Sequence, residues 1–116
     1  MVDTVERRSE PRRTLRWPVA IVIDSGKGQT VARGVTQELS LSGGSVLTDT
    51  NVVCKHPVDL LLFLPPTSKD AIAVTLQIKA KITSTVLSSR HRQFVCSLRF
   101  EQFAGTGQAT LERLLT

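Results

Sequence analysis

IAVTLQIKAKITSTV, residues 72–86, decides the fold. Ile72, Val74, Leu76, Ile78, Ala80 and Ile82 alternate with Ala73, Thr75, Gln77, Lys79, Lys81 and Thr83. A period of two over this length puts one face in a core and the other in water, which is the mark of a long strand. FVCSLRF (94–100) repeats the pattern, with Phe94, Cys96, Leu98 and Phe100 facing one way and Ser97 and Arg99 the other. LSSRHRQ (87–93) supplies polar turn residues between them, so the two strands are expected to form a long hairpin.

Upstream, VAIVID (19–24) is rich in β-branched residues and ends at the turn glycines of SGKGQ (25–29). TVARGVTQELSL (30–41) reads as a further strand with Val31, Val35, Leu39 and Leu41 as its apolar positions. SVLTD (45–49) and VDLLLFL (58–64) make two more, the second apolar on both faces and so expected to be well buried. About six strands joined by short turns point to a small sandwich or barrel. Closure into a barrel removes the edges that an open sheet must protect.

The period changes at the C-terminus. In GTGQATLERLLT (105–116), Thr106 is a candidate N-cap and Ala109, Leu111, Leu114 and Leu115 fall near one face, which predicts a helix over about 106–115. So short a helix persists only when packed against the sheet. Residues 1–15 follow neither period. The expected organisation is a flexible arginine-rich arm over 1–15 and one barrel domain over 16–116.

A chain of 116 residues suits one core, and 41% apolar residues can fill it. No stretch approaches the ~18–20 apolar residues that span a bilayer. The N-terminus lacks the apolar segment of a secretory signal, so the expected location is the cytoplasm. Cys54 and Cys96 form no CxxC and are expected to stay reduced there. His56 and His91 have no second ligand nearby in sequence, so no metal site is expected. GxSxG, P-loop and GxGxxG patterns are absent; the chain does not read as an enzyme, and no catalytic residue or cofactor is expected. The formal charge of +5 favours phosphate-bearing partners without choosing among nucleotide, nucleic acid and lipid.

Two stretches carry candidate chemistry. ERRSEPRR (6–13) holds Arg7, Arg8, Arg12 and Arg13 on a segment too polar to fold alone. Arg8 to Arg12 has the form RxxxR, and Pro11 keeps Glu10 extended and blocks a helix. Arginine's planar fork meets phosphate oxygens, or O6 and N7 of guanine, two bonds at a time. ELSLSGG (38–44) runs a strand into two glycines that permit a tight turn and the close approach of a ligand. Glu38 offers a carboxylate to guanine N–H groups and Ser40 a hydroxyl. Read separately, each has a plain alternative: a solvated arm and an ordinary hairpin turn.

Together, with Glu38 26 residues after Arg12, the RxxxR arm and the [D/N]xSxxG-like turn resemble the PilZ family. Members of that family bind the bacterial second messenger cyclic di-GMP. The resemblance extends over the chain, from ERRSEPRRTLRWPVAI through ELSLSGGSVL and VDLLLFLPP to ITSTV and FVCSLRF. It implies a mainly β fold, a six-stranded antiparallel β-barrel with a C-terminal helix, here as a stand-alone single-domain member. Carried over position by position, it assigns Arg8 and Arg12 to guanine and phosphate groups. Arg7 falls where an arginine accompanies binding of two intercalated cyclic di-GMP molecules rather than one. Ser40 and Gly43 match the serine and glycine of the second motif, and Arg13 either contacts a phosphate or points to solvent. Glu38 stands where Asp or Asn is usual, with like chemistry on a chain one methylene longer. A misplaced hydrogen bond to a charged acceptor forfeits roughly 1–3 kcal/mol.

The function this resemblance implies is a cyclic di-GMP receptor or adaptor that orders its arm over the ligand and signals to a downstream protein. Glu38 leaves open a PilZ-like protein-interaction module that does not bind nucleotide. Trp17, the only tryptophan, either packs on a guanine or caps the open end of the barrel. A barrel for single-stranded nucleic acid would need aromatic stacking platforms. Four phenylalanines, one tryptophan and no tyrosine, with Phe94 and Phe100 expected inside, argue against nucleic acid as the partner.

Overall fold

Alternating apolar residues close into a barrel here because each of six strands finds a partner on both sides. The computed structural model describes residues 13–24, 26, 28–66, 73–90 and 92–115; Arg7, Arg8, Arg12, Ile72 and His91 lie outside them. In chain order come β1 (Arg13–Thr14), β2 (Pro18–Asp24), β3 (Gln29–Leu39), β4 (Gly43–Thr48), β5 (Val58–Leu64), β6 (Val74–Ser88), β7 (Gln93–Phe103) and α1 (Gly107–Leu115). β3 pairs with β2, β2 with β5, β5 with β6, β6 with β7, β7 with β4, and β4 returns to β3. Every pairing is antiparallel. The result is the closed six-stranded antiparallel barrel expected from the sequence, with β1 as an extra strand.

β1 begins inside the stretch assigned to the arm. β3 runs past the start of β2, which pairs only as far as Pro18 opposite Val35. β1 covers the protruding end, with Arg13 opposite Leu39 and Thr14 opposite Glu38. An edge that would otherwise show unpaired N–H and C=O groups is thereby satisfied. Two residues are too few for any period to reveal, so the sequence shows no strand at that point.

The core follows the predicted alternation where the ladders are regular. Leu76, Ile78 and Ala80 of β6, Cys96 and Leu98 of β7, and Val58, Leu60, Leu62 and Leu64 of β5 are buried together. β5 is indeed shielded on both faces, its alternate residues Asp59, Leu61 and Phe63 being half-buried. Two assignments fail. Val74 lies exposed at the start of β6, and Val31, expected inside, is also exposed, while Ala32 and Thr36 of β3 are buried. A β-bulge between Thr36 and Glu38 shifts the register. One extra residue exchanges the faces of everything before it relative to Leu39. Reading Leu39 correctly as inward therefore forces the wrong face onto Val31.

The C-terminal helix forms where expected. The carbonyl of Thr106 accepts from the Thr110 N–H at 3.1 Å, which starts the helical ladder. Gly107, Leu111 and Leu115, spaced by four, are its buried face, and Leu111 and Leu115 join the barrel core. Ala109, assigned to that face from sequence, is exposed instead. Burying one leucine contributes roughly 1.5–3 kcal/mol, which is what holds so short a helix in place. No helix among the described residues is long and apolar enough to cross a membrane.

Both cysteines are free. Burial pushes the Cys96 thiol above its ordinary 9.0, against a smaller opposing pull from a hydrogen bond with Thr85. The folded protein holds this proton more tightly than the unfolded chain does. Its contribution to stability is therefore full below pH 9.0 and is lost as pH rises through the folded value. In native protein a thiol reagent at pH 8 is expected to modify Cys96 no faster than the barrel opens, and to modify it at once in denaturant. Labelling of native Cys96 at the rate of a free thiol, read by peptide mass spectrometry, would contradict this packing.

Candidate functional site

The second motif is built on one buried polar residue. Thr36 of β3 is 0% exposed, and four hydrogen bonds join it to the segment linking β1 to β2. Its hydroxyl donates to the Leu15 carbonyl and accepts the Trp17 N–H at 2.9 Å. Its own N–H donates to the Trp17 carbonyl at 2.9 Å, and Arg16 Nη1 donates to the Thr36 carbonyl at 3.0 Å. A buried hydroxyl is tolerated only when so engaged, and here its engagement fixes where the N-terminal segment meets β3. Trp17 is half-buried against the barrel core.

Next along β3, the bulged residue is Gln37, whose Oε1 accepts from Ser45 Oγ of β4 at 2.9 Å. The bulge lets Thr36 and Leu39 both point inward and leaves Glu38 exposed. Past Leu39 the chain turns. Ser40 N–H donates to the Gly43 carbonyl at 2.8 Å, and Ser40 Oγ donates to the same oxygen at 3.1 Å. The Ser40 hydroxyl is buried and spent on holding the turn, with Ser42 Oγ 3.4 Å away. The turn is tied to the next strand by Phe100 N–H, which donates to the Ser42 carbonyl at 2.8 Å.

Gly43 and Gly44 are required by close approach. A Cβ on Gly43 would stand 2.3 Å from the Leu98 carbonyl oxygen, and one on Gly44 would stand 2.5 Å from that of Glu38. Only glycine lets β4 lie so close to β7 on one side and β3 on the other. On this seam lies a pocket of about 470 Å³. Glu38, Ser40 and Gly43 line it, together with Gln37, Ser45, Thr83, Ser97 and Arg99.

The structure thus brings Glu38, Ser40 and Gly43 to one pocket. Arg13 does not line it: its Nη1 donates to the Leu115 carbonyl at 3.4 Å, at the C-terminal end of α1. Arg7, Arg8 and Arg12 lie outside the described residues. Five polar lining residues outside 38–44 escaped the sequence. Gln37 and Thr83 are the bulged residues of β3 and β6, and bulges commonly re-aim side chains at the rims of barrels. Ser45, Ser97 and Arg99 arrive by pairing of β4 with β7, which no local pattern encodes. Among the described residues no three of His, Cys, Asp and Glu gather to hold a metal.

No family model matches the chain, and no curated protein matches it in sequence. Solved structures do match in shape. The Bacillus subtilis inhibitor of motility (MotI/DgrA) superposes with a TM-score of 0.74 at 15% identity, over 94% of this chain and 49% of that one. YcgR from Escherichia coli, in complex with c-di-GMP, gives 0.63 at 18% identity over 93% of this chain and 44% of its own. The PilZ domain of CeSA from a cellulose-synthesizing bacterium gives 0.56 at 17% identity, covering 90% and 93%. This chain therefore spans about half the length of the first two proteins and nearly the whole of the third. Its fold is that of a PilZ domain.

Two substitutions test the local account by urea unfolding. Thr36→Val leaves the Trp17 N–H and the Leu15 carbonyl without their partner and is expected to cost about 1–3 kcal/mol. Gly43→Ala forces β4 away from β7 and is expected to cost a similar ~1–3 kcal/mol or more. A stability unchanged in either variant would contradict the corresponding contact.

Proposed function

We propose that this barrel is a non-catalytic cyclic di-GMP receptor that passes the occupancy of its site to a partner protein in the bacterial cytoplasm. One observation carries the reading. The chain that bears RxxxR enters the barrel as β1, paired with Leu39 and Glu38 of the second motif. Arg12 is the residue next to Arg13. The two residues that follow RxxxR in sequence thus pair with the strand that carries the second motif, which supports a shared site. The likeness in fold to YcgR in complex with c-di-GMP supports the same ligand class.

In this reading Arg8 and Arg12 engage phosphates and guanine edges through bidentate bonds, which are strong enough to offset the entropy of ordering the segment. Arg7 extends the set toward two intercalated ligand molecules. Glu38, exposed at the rim of the pocket, accepts guanine N–H groups, and Ser40 keeps the turn in shape beneath it. Arg13, engaged at the end of α1 and outside the pocket lining, adds positive charge only from a distance. Occupancy changes the surface that the arm covers, which gives a partner something to distinguish.

Calorimetry with cyclic di-GMP tests this. Saturable heat is expected, with one or two ligands per chain. It should be lost in Arg12→Ala and about tenfold tighter in Glu38→Asp, where the carboxylate regains the usual reach. No heat from folded wild type at ligand in the tens of micromolar would contradict it. Glu38 also favours a second reading, a protein-interaction module indifferent to nucleotide. Glu38→Asp binding the ligand while wild type does not would support that alternative.

A further inference from the structure

Opposite the edge where the arm enters, the pocket has a cationic wall of its own. Arg99 of β7 lines the pocket, and its side chain is 61% exposed. Lys81 of β6 is its cross-strand partner and is exposed as well. Directly paired residues in an antiparallel ladder project from the same face, so the two cations stand side by side. The pair is set off by two irregularities. Thr83 is bulged on β6, and Glu101 is bulged on β7 between the partners of Lys79 and Ala80. The first bulge brings Thr83 into the pocket lining. The second leaves Glu101 within 3.5 Å of Arg99 Nη2.

We infer that Arg99, reinforced by Lys81, is a phosphate contact supplied by the barrel itself, and that Glu101 holds the guanidinium until a phosphate displaces it. The inference rests on the proposed cyclic di-GMP site and extends it to residues outside both motifs. The spacing is what makes a second contact useful. β1, β3, β4 and β7 are successive neighbours across this surface. Three interstrand steps of about 4.8 Å place the arm's strand roughly 14 Å from Arg99. A cyclic dinucleotide carries two phosphates on opposite sides of its ring. With one phosphate taken by the N-terminal arginines in the proposed receptor, Arg99 meets the other from the β7 side. The described lining otherwise offers one charged group, the carboxylate of Glu38. Without Arg99, a phosphate turned toward β7 would meet no cation among the described lining residues.

An exposed ion pair with water on both sides is worth little, so Glu101 is a weak competitor, whereas a charge-assisted bond to a phosphate is stronger. The test is calorimetry with cyclic di-GMP on full-length wild type, Arg99→Gln, Lys81→Gln, Glu101→Gln and Arg92→Gln. Arg92 lies in the β6–β7 turn, seven residues from Arg99 and outside the pocket lining, so its variant removes the same charge without removing a lining side chain. Arg99→Gln is expected to weaken binding about tenfold or more, and Lys81→Gln about two- to threefold. Glu101→Gln should tighten binding about two- to fivefold, and Arg92→Gln should leave it within about twofold of wild type. Wild-type binding that Arg99→Gln weakens no more than Arg92→Gln would overturn the Arg99 contact and leave the receptor reading standing. A Glu101→Gln affinity equal to or below wild type would overturn the competition. Absence of binding in every protein would overturn the receptor reading, and this contact with it.

Discussion

Closure of the barrel through β4 is the constraint on which the rest depends. β4 is only six residues long, yet it must pair with β3 along one side and β7 along the other. At its start both neighbours approach so closely that no side chain fits at Gly43 or Gly44. A larger residue would prise one ladder open and leave two sheet edges in water. The pocket lies over this seam, floored by backbone where side chains are excluded, so fold and candidate site share a cause. The two glycines that read as a ligand-binding motif are first of all the condition for a closed sheet.

Thr36 adds the second constraint. A barrel alone would leave the N-terminal chain free to depart from the mouth in any direction. Four hydrogen bonds on one buried threonine fix Leu15–Trp17 against β3, and β1 continues that line to Leu39. A tether of this kind lowers the entropy cost of any contact made by the residues next to it in sequence. In the proposed receptor that tether, and not the composition of residues 1–12, sets where the arginines begin. The tether is made by a residue whose polarity would count against it in a core.

What the sequence disclosed, and what it withheld, follows from the range of the forces involved. The long strands were legible because period-two alternation is a local record of a global inside and outside; Leu76, Ile78, Cys96 and Leu98 are buried as the pattern requires. The face of β3 was misread at Val31 because a single bulged residue, Gln37, shifts the register and no residue type announces it. Ala109 was placed on the buried face of the helix because small apolar residues fit either side, whereas the stripe runs through Gly107, Leu111 and Leu115. Of the candidate site, Glu38, Ser40 and Gly43 were visible because they share one turn. Thr36 looked like any strand threonine, and Arg99 like a solvated strand position, since each acquires its role from a partner many residues away.

The central claim is that the N-terminal segment and the seam between β3, β4 and β7 form two sides of one nucleotide site. Backbone amide NMR of the uniformly labelled full-length chain, titrated with cyclic di-GMP, addresses both sides in one experiment. The account predicts that amides of Arg13 and Thr14, of Gln37–Ser45 and of Ser97–Arg99 shift together with a common midpoint. It also predicts that the far β2–β3 turn around Gly26 stays still. Shifts absent throughout, or confined to surfaces away from Glu38 and Gly43, would contradict it.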